Sequence, residues 1–410
     1  PSPDRPIEGV AIDSRRIRPG ELFVAIRTER DDGHHYLVAA AAQGAAAAIV
    51  EHFDGRTSLP QLVVRDSLEA LRALAAAWRR SWSGTVIAIA GSYGKTTCKE
   101  LLALLLGRGC TCATEGNLNN TIGVPLSILS LDRERHRFAA IEVGISKPGE
   151  MATIAEVLRP DHVVFTGISS KHLEFFPSRA ALLQEKLCIC RAAADRGGRI
   201  AVLPKFARRR PFRPFREHIL SPLPDVNRYL LPDLSPTFRE DLALCLAFCE
   251  YFSIPVHSIS ERLQLWRPPP LRGQIFFDGG RAYFVDCYNS DLPALLHSAR
   301  AFARRFPRQP RCYVIGGMGE LGADSELLHR RAGRNLPFSR NDRFFLVGPE
   351  TVVLGEELLR RGLLSDRLKI FPDKAALAAA LSPIRGPIYL KGSRCYALET
   401  LVDLGGCEIL

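Results

Sequence analysis

The sequence predicts an α/β chain built as three successive units, residues 1–82, 83–270 and 271–410. Three observations predict it. Short apolar runs alternate with helical stretches along the whole chain, the pattern of sheets covered by helices. Between Gly84 and Leu203 the runs TVIAIA, FAAIEVG, HVVFTGI and RIAVL are apolar on both faces, so a parallel sheet buried on both sides is expected there. The run RPPP at 267–270 excludes helix and stiffens the chain, which marks the last boundary.

Each unit supplies its own elements. In the first, GVAID, ELFVAI, AAAIV and QLVV read as short strands and residues 68–82 as a helix. The alanine-rich stretch 39–50 reads as a small-residue helix running into a strand and is too short to cross a bilayer. In the second, helices are expected at 97–106 and 179–194. The third carries strands at AYFVDC, CYVIGG, RFFLVG and PIYLKG. No internal repeat organises the chain at the scale of these units.

Composition narrows the class. A content of 46% hydrophobic and 24% charged residues over 410 positions is that of a globular protein, neither disordered nor fibrous. No apolar run is long enough for a membrane span and no signal-peptide pattern is visible, so a cytoplasmic protein with no membrane partner is expected; a monomer is the expected state. Eleven cysteines lack disulfide-scaffold spacing. The Cys110/Cys112 and Cys188/Cys190 pairs have no matching pair to complete a zinc site, so reduced buried thiols are expected. The net charge of +11 suits nucleic acid, an anionic surface or polyanionic small substrates. The densest basic run, KFARRRPFRPFR at 205–216, comes with no stacking motif or helix-turn-helix pattern. It is expected to be a solvated surface loop, with no nucleic-acid partner.

The chemistry starts at AIAGSYGKTTCKE, 88–100. An apolar strand runs into a glycine turn, then a lysine, two threonines and a helix, the context of a phosphate-binding loop. Turn amides and the positive helix end favour phosphate. Gly94 allows close approach, Lys95 adds charge at the terminal phosphates and the Thr96 hydroxyl suits Mg²⁺. Gly91, Ser92, Gly94, Lys95, Thr96 and Thr97 are therefore the expected nucleotide contacts. The usual spacing places one more glycine at position 89, where this chain has Ile89. The loop alone fits a kinase, an NTPase or a ligase.

AGSYGKTTCKE resembles the shortened ATP loop of the Mur ligases, G-S/T-x-G-K-S/T, in which the earlier glycine is absent. TEGNLNNTIGVPLSIL, 114–129, resembles the branch of that family that adds a dipeptide, and implies substrate roles for Asn117, Asn119 and Asn120. AAIEVGISKPGEM resembles the segment whose strand ends in a metal-binding glutamate, here Glu142. TGISSKHLEFFPS implies that His172 serves a second metal or the acyl phosphate, and Lys186 falls where these ligases carry a carbamylated lysine. Catalytic roles follow for Lys95, His172 and Lys186, and a metal set of Thr96, Glu142, His172 and Lys186.

In the third unit, LRGQIFF places Arg272 near the nucleotide, and VDCYNSDLPAL places Asn289, with Asp286, towards ATP. VIGGMGELGADSELLH and YLKGSRCYALE also match, the latter placing Lys391, Ser393 and Arg394 near the incoming amine. AIDSRRIRPGELFVAI makes Ser14 and Arg15 contacts for the uridine nucleotide. The D-N-P-R motif of relatives that add meso-diaminopimelate is absent. The resemblance implies a UDP-substrate-binding domain, a central P-loop ATP-binding domain and a C-terminal Rossmann-like domain. It further implies ATP, Mg²⁺ and possible carbamylation as cofactor chemistry. The reaction would join D-alanyl-D-alanine to UDP-N-acetylmuramoyl tripeptide through an acyl phosphate, in cytoplasmic peptidoglycan precursor synthesis. Alternatives are a Mur-type ligase with another amine acceptor, or a non-catalytic homologue that binds nucleotide or precursor.

The chain also departs from that pattern. A His-Asn pair that helps hold the nucleotide is missing near Thr237, in LPDLSPTFREDLALCLAF. Gly317 stands for an aspartate, Ser290 and Asp291 for Ala-Asn, and Arg27 and Thr28 for Lys-Gly.

Overall fold

The computed structural model describes residues 6–29, 31–169, 175–229, 236–278, 280–402 and 408–409. Three sheets organise it. The first contains β1 (Val10–Ala11), β2 (Leu22–Val24), β3 (Ala47–Val50) and β4 (Gln61–Val63), all parallel and in sequence order. Helices α1 (Leu37–Ala42) and α2 (Ser67–Ser81) accompany it. The carboxylate of Asp66 caps α2 by accepting from the Glu69 amide at 2.8 Å, one of the orphan donors of a helix start.

The second sheet holds β5 (Thr85–Ala90), β6 (Thr111–Ala113), β7 (Phe138–Glu142), β8 (His162–Phe165) and β9 (Ile200–Val202), in the order β6-β7-β5-β8-β9. All four pairings are parallel. Helices α3 (Lys95–Leu106), α4 (Gly123–Leu129), α5 (Glu150–Leu158), α6 (Arg179–Ala194), α7 (Pro204–Ala207), α8 (Pro236–Tyr251) and α9 (Val256–Gln264) accompany it. Residues of β5, β7, β8 and β9 are buried almost throughout, as expected for strands covered on both faces.

The third sheet has seven strands in the order β14-β13-β12-β15-β11-β10-β16. These are β10 (Gln274–Asp278), β11 (Arg281–Val285), β12 (Cys312–Gly316), β13 (Arg343–Val347), β14 (Leu368–Phe371), β15 (Ile388–Lys391) and β16 (Glu408–Ile409). The β10–β11 hairpin and the β10–β16 pair are antiparallel; the rest is parallel. Helices α10 (Leu292–Arg305), α11 (Ser325–Asn335), α12 (Val352–Arg360) and α13 (Lys374–Leu381) complete the domain. An aromatic stack fills one face, with Tyr313 on Phe344 at 4.7 Å and Phe302 edge-on to Tyr313 at 5.2 Å.

The first domain is tied to the central one through α2, which packs on α4 and α5. Buried Arg79 donates to the carbonyls of Leu158 and Arg159 at the end of α5 and to Asp161 at 2.6 Å. It thereby satisfies carbonyls a helix end leaves open.

The expected strands are present, and four further ones join them. β6 reads Thr-Cys-Ala and has no apolar run to signal it, β14 is an edge strand whose Ile370 is exposed, and β10 and β16 extend the third sheet. Helix α3 begins at Lys95, two residues before the expected start, because Gly94 caps it. The basic run differs more. Where a solvated loop is expected, residues 204–218 form α7 and a nine-residue 3₁₀ helix, Arg210–His218, with Phe206, Phe212 and Phe215 buried. The ten described cysteines are all free and most are buried, as expected.

Candidate active site

Strand β5 ends at Ala90 and delivers the chain into Gly91-Ser92-Tyr93-Gly94. Two of these positions require glycine. Gly91 has φ +138°, and a Cβ there would lie 2.1 Å from Thr166 Oγ1. Gly94 has φ +74°, and its Cβ would meet Asp241 Oδ1 at 2.4 Å. Thr166 also donates to the Ala90 carbonyl at 3.3 Å and to that of Tyr93, which fixes the turn from behind. The first-turn amides of α3 then point out of the sheet, ready for an anion.

Lys95 and Thr96 open α3. The neighbouring strand β7 is in register with β5, Ile89 opposite Glu142, so the Glu142 carboxylate arrives beside the turn. Its side chain is 4% exposed. Oε2 accepts from Thr96 Oγ1 at 2.8 Å and Oε1 from Asn119 Nδ2 at 2.7 Å, while its amide donates to Thr114 Oγ1 at 2.9 Å. Burial alone would raise the Glu142 pKa. The charge of Lys95 and the bonds from Asn119 and Thr96 outweigh it and hold the group below its ordinary value, so it stays ionised.

Two further elements converge here. From α6, Lys186 is 1% exposed and donates from Nζ to the Gly91 carbonyl at 3.3 Å. From the third domain, Arg272 Nη2 donates to Thr96 Oγ1 at 2.9 Å while its guanidinium lies 4.2 Å from the Tyr288 ring centroid. His172 lies outside the described residues.

Between α3, α8 and the third domain opens a cleft of about 390 Å³. Ser92, Gly94, Thr97, Arg272 and Asn289 line it. So do Asp286 and Lys391, which form an ion pair at 2.9 Å; Lys391 Nζ also donates to the Asn289 carbonyl at 2.8 Å. The position of the missing His-Asn pair faces the same cleft. Thr237 lines it with a buried Oγ1, and Phe238 packs on Trp266 at 5.2 Å to make an apolar wall. Buried Ser92 Oγ, Thr237 Oγ1, Ser290 Oγ and His297 Nδ1 find no partner among the described residues, and all four residues line the cleft. Such atoms are rarely left unmet in the complete assembly.

The remaining expected residues fall into two groups. Asn117 and Asn120 sit in the exposed loop before α4, where Asn120 Oδ1 accepts from the amides of Ile122 and Gly123 at 3.1 and 2.8 Å. Ser14 is buried in the first domain, while exposed Arg15 holds Asp13 at 2.7 Å and draws that carboxyl down to about 2. The next residue, Arg16, reaches Glu115 at 3.1 Å, which brings this turn to the asparagine loop. Ser393 Oγ accepts from the Gly319 amide at 2.6 Å, and Arg394 pairs with Glu399.

Two buried residues escaped the sequence reading. Asp241 faces the phosphate turn from α8, and burial pushes its pKa well above the usual carboxylate range, which favours a neutral carboxyl there. His329 accepts from the Met318 amide at Nε2, 2.9 Å, and donates from Nδ1 to the Ser325 carbonyl at 2.8 Å, which holds the loop beside Ser393. His329 closes the matched segment VIGGMGELGADSELLH and Asp241 lies in the stretch that departs from the family pattern, but neither segment signals the residue's role.

A phosphate turn, a hydroxyl–carboxylate pair and a cleft shared with a third α/β domain define a P-loop nucleotide-binding protein. The chain belongs to the Mur ligase family, within the branch of the UDP-N-acetylmuramoyl-tripeptide–D-alanyl-D-alanine ligases. The Mur ligase middle domain matches residues 89–209, and the description "Mur ligase family, catalytic domain" matches residues 6–79. The ligase of that branch from Escherichia coli (strain K12) is 30% identical over 444 residues, covering 97% of this chain and 94% of the relative. The Bacillus subtilis (strain 168) ligase is 27% identical over 429 residues, covering 97% and 92%. A crystal structure of MurF from Acinetobacter baumannii is 27% identical with a TM-score of 0.81, covering 96% of this chain and 92% of that one.

Proposed function

We propose that the chain is an ATP-dependent, ADP-forming amide ligase that joins D-alanyl-D-alanine to UDP-N-acetylmuramoyl tripeptide in peptidoglycan precursor synthesis. The observation that carries this reading is the junction at Thr96. One hydroxyl touches the ionised, buried Glu142 and the Arg272 guanidinium of the third domain, beside the helix start that carries Lys95.

That junction suits Mg²⁺. A buried ionised carboxylate beside a hydroxyl gives hard oxygen donors, and Mg²⁺ takes few protein ligands and completes its shell with water and phosphate. Glu142 and Thr96 would hold the ion, which when bound offsets phosphate charge.

The steps need little covalent work from the protein. The turn amides and Lys95 hold the terminal phosphates of ATP. The tripeptide carboxylate attacks the γ-phosphorus; the bond to the bridging oxygen breaks and ADP leaves with the electron pair. The dipeptide amine attacks the acyl carbon, the bond to phosphate breaks, and phosphate leaves as the amine gives up a proton. Arg272 and Lys95 stabilise charge as it moves between these oxygens, while docking of the third domain keeps water from the acyl phosphate. Carbamylation of Lys186 belongs to the same proposal: the neutral amine adds to CO₂ with loss of a proton, which turns a cation into an anion near the Gly91 carbonyl.

The test is phosphate release with ATP, Mg²⁺ and UDP-N-acetylmuramoyl tripeptide, with and without D-alanyl-D-alanine. Release that needs both substrates is expected. A second reading, another amine acceptor, draws on Lys391, whose ammonium is engaged by Asp286 rather than open to a substrate carboxylate. Release only with a different amine would replace the first reading by the second. No turnover with any amine, and nucleotide binding unchanged in Lys95→Ala, would sink both.

A further inference from the structure

The basic run 205–216 is not absorbed by the site, and none of Arg210, Arg213 and Arg216 lines the cleft. Its shape follows from a three-residue repeat. Arg-Pro-Phe occurs at 210–212 and again at 213–215, and Arg216 follows in the same phase. The chain answers with a 3₁₀ helix over Arg210–His218. Runs beyond three or four residues are uncommon for this helix. Here Pro211 and Pro214 set φ, and Phe212 and Phe215 anchor the inner face, Phe212 edge-on to Phe165 of β8 at 5.2 Å.

With three residues per turn, side chains at i and i+3 eclipse. Arg210, Arg213 and Arg216 therefore stand in one row, about 6 Å apart at a rise of roughly 2 Å per residue. All three are exposed, and none forms an ion pair with a described residue. Lys205 and Arg209 flank the row, the first held by Glu240 at 2.5 Å and the second laid over Phe206.

We propose that this row is a docking ridge for an acidic α-helix of a partner protein. Carboxylates at i, i+4 and i+8 of an α-helix recur about every 6 Å, since each residue rises about 1.5 Å. The two rows match in pitch and are opposite in charge, and arginine binds carboxylate in a two-pronged geometry that lysine cannot make. Two other polyanions fit less well. The phenylalanines are buried, so no ring is offered to a nucleic-acid base. The ridge carries no exposed large apolar side chain to enter a bilayer. A fluid anionic surface also has no fixed register for a row of fixed pitch to match.

The test is fluorescence polarisation with the full chain at low salt. The probe is a labelled alanine-rich helical peptide with glutamate at every fourth position. Comparators are a peptide of the same composition with the glutamates scattered round the helix, vesicles containing phosphatidylglycerol, and a short DNA duplex. The striped peptide is expected to bind about fivefold more tightly than the scattered one, with the difference shrinking as salt screens the pairs. The triple change Arg210→Gln, Arg213→Gln, Arg216→Gln is expected to abolish binding without lowering the melting temperature. The double change Pro211→Ala, Pro214→Ala keeps every charge and is expected to erase the preference for the stripe. Equal binding of both peptides, tighter binding to vesicles or DNA, or striped-peptide binding that survives the triple change would each overturn the proposal.

Discussion

The two ends of the nucleotide cleft are built differently. The phosphate end is one continuous stretch, β5 to α3, whose form is dictated by two glycines in positive φ and closed from behind by Thr166 and Asp241. The opposite end is assembled from separated pieces: Thr237 and Phe238 on α8, Trp266 after α9, Ser290 in the loop before α10 and His297 within it. A phosphate needs amides and charge, which a short turn supplies by itself. A base and sugar need a shaped wall, which only packing between domains supplies. The first kind of site tolerates little change, because each part has a steric reason. The second can exchange side chains while keeping its shape, and the replaced His-Asn pair lies there.

The sharpest way to break this contrast is at Lys95. Lys95→Ala removes the charge proposed to hold phosphate, which also helps keep Glu142 ionised. Turnover is expected to fall on the order of 10³-fold, as for loss of a main charge-stabilising group. Glu142 should also become easier to protonate, so residual activity should weaken at acidic pH sooner than in the parent. A loss below tenfold, measured by phosphate release, would place the critical charge elsewhere.

Gly94→Ala tests the steric half. The new methyl must share space with the Asp241 carboxyl group while the backbone stays left-handed, a strain of about 1–3 kcal/mol. Nucleotide affinity should drop by more than tenfold, along with a lower melting temperature. At the other end, Phe238→Ala opens a partly buried wall beside Trp266. There we expect a KM for ATP raised by roughly three- to tenfold, since removing buried apolar surface costs about 1 kcal/mol or slightly more in such a contact, with kcat little changed. If Phe238→Ala harmed kcat as much as Gly94→Ala, the two ends would not be separable.

The same contrast explains what the sequence made legible. The strand–turn–helix at Ala90–Lys95 is legible because local sequence determines local geometry, whereas Glu142 comes from the resemblance of its segment, and the register of β7 on β5 is what places it beside the turn. Lys186 reached the site only through resemblance, since a lysine on a helix carries no pattern of its own. The wall of the cleft could not be read. Thr237, Trp266 and His297 lie far apart in the chain and meet only through docking of α8 and α10. Asp241 was hidden for the same reason. The 3₁₀ ridge differs again: its three-residue period is present in the sequence, but a run so rich in arginine reads first as charge.

The contrast extends from chemistry to stability, and here the expected effect at neutral pH is smallest. The central and third domains each bury a histidine that serves as an acceptor. His162 Nδ1 accepts from the Arg199 amide at 3.0 Å, and His329 Nε2 from the Met318 amide at 2.9 Å. Burial lowers both, His162 to about 4. The unfolded chain therefore binds protons more readily below its ordinary histidine value near 6.5. Stability from His162 is complete above that pH and is lost as pH falls from there towards 4, by on the order of 3 kcal/mol at the limit. His162→Asn keeps an acceptor near the Nδ1 position and removes the titration. Its melting temperature should fall less steeply than that of the parent between those two pH values and differ little at pH 7. Parallel curves would mean that His162 is not what acid attacks in the central domain, and would move attention to His329, which holds the loop beside Ser393 rather than the sheet behind the phosphate turn.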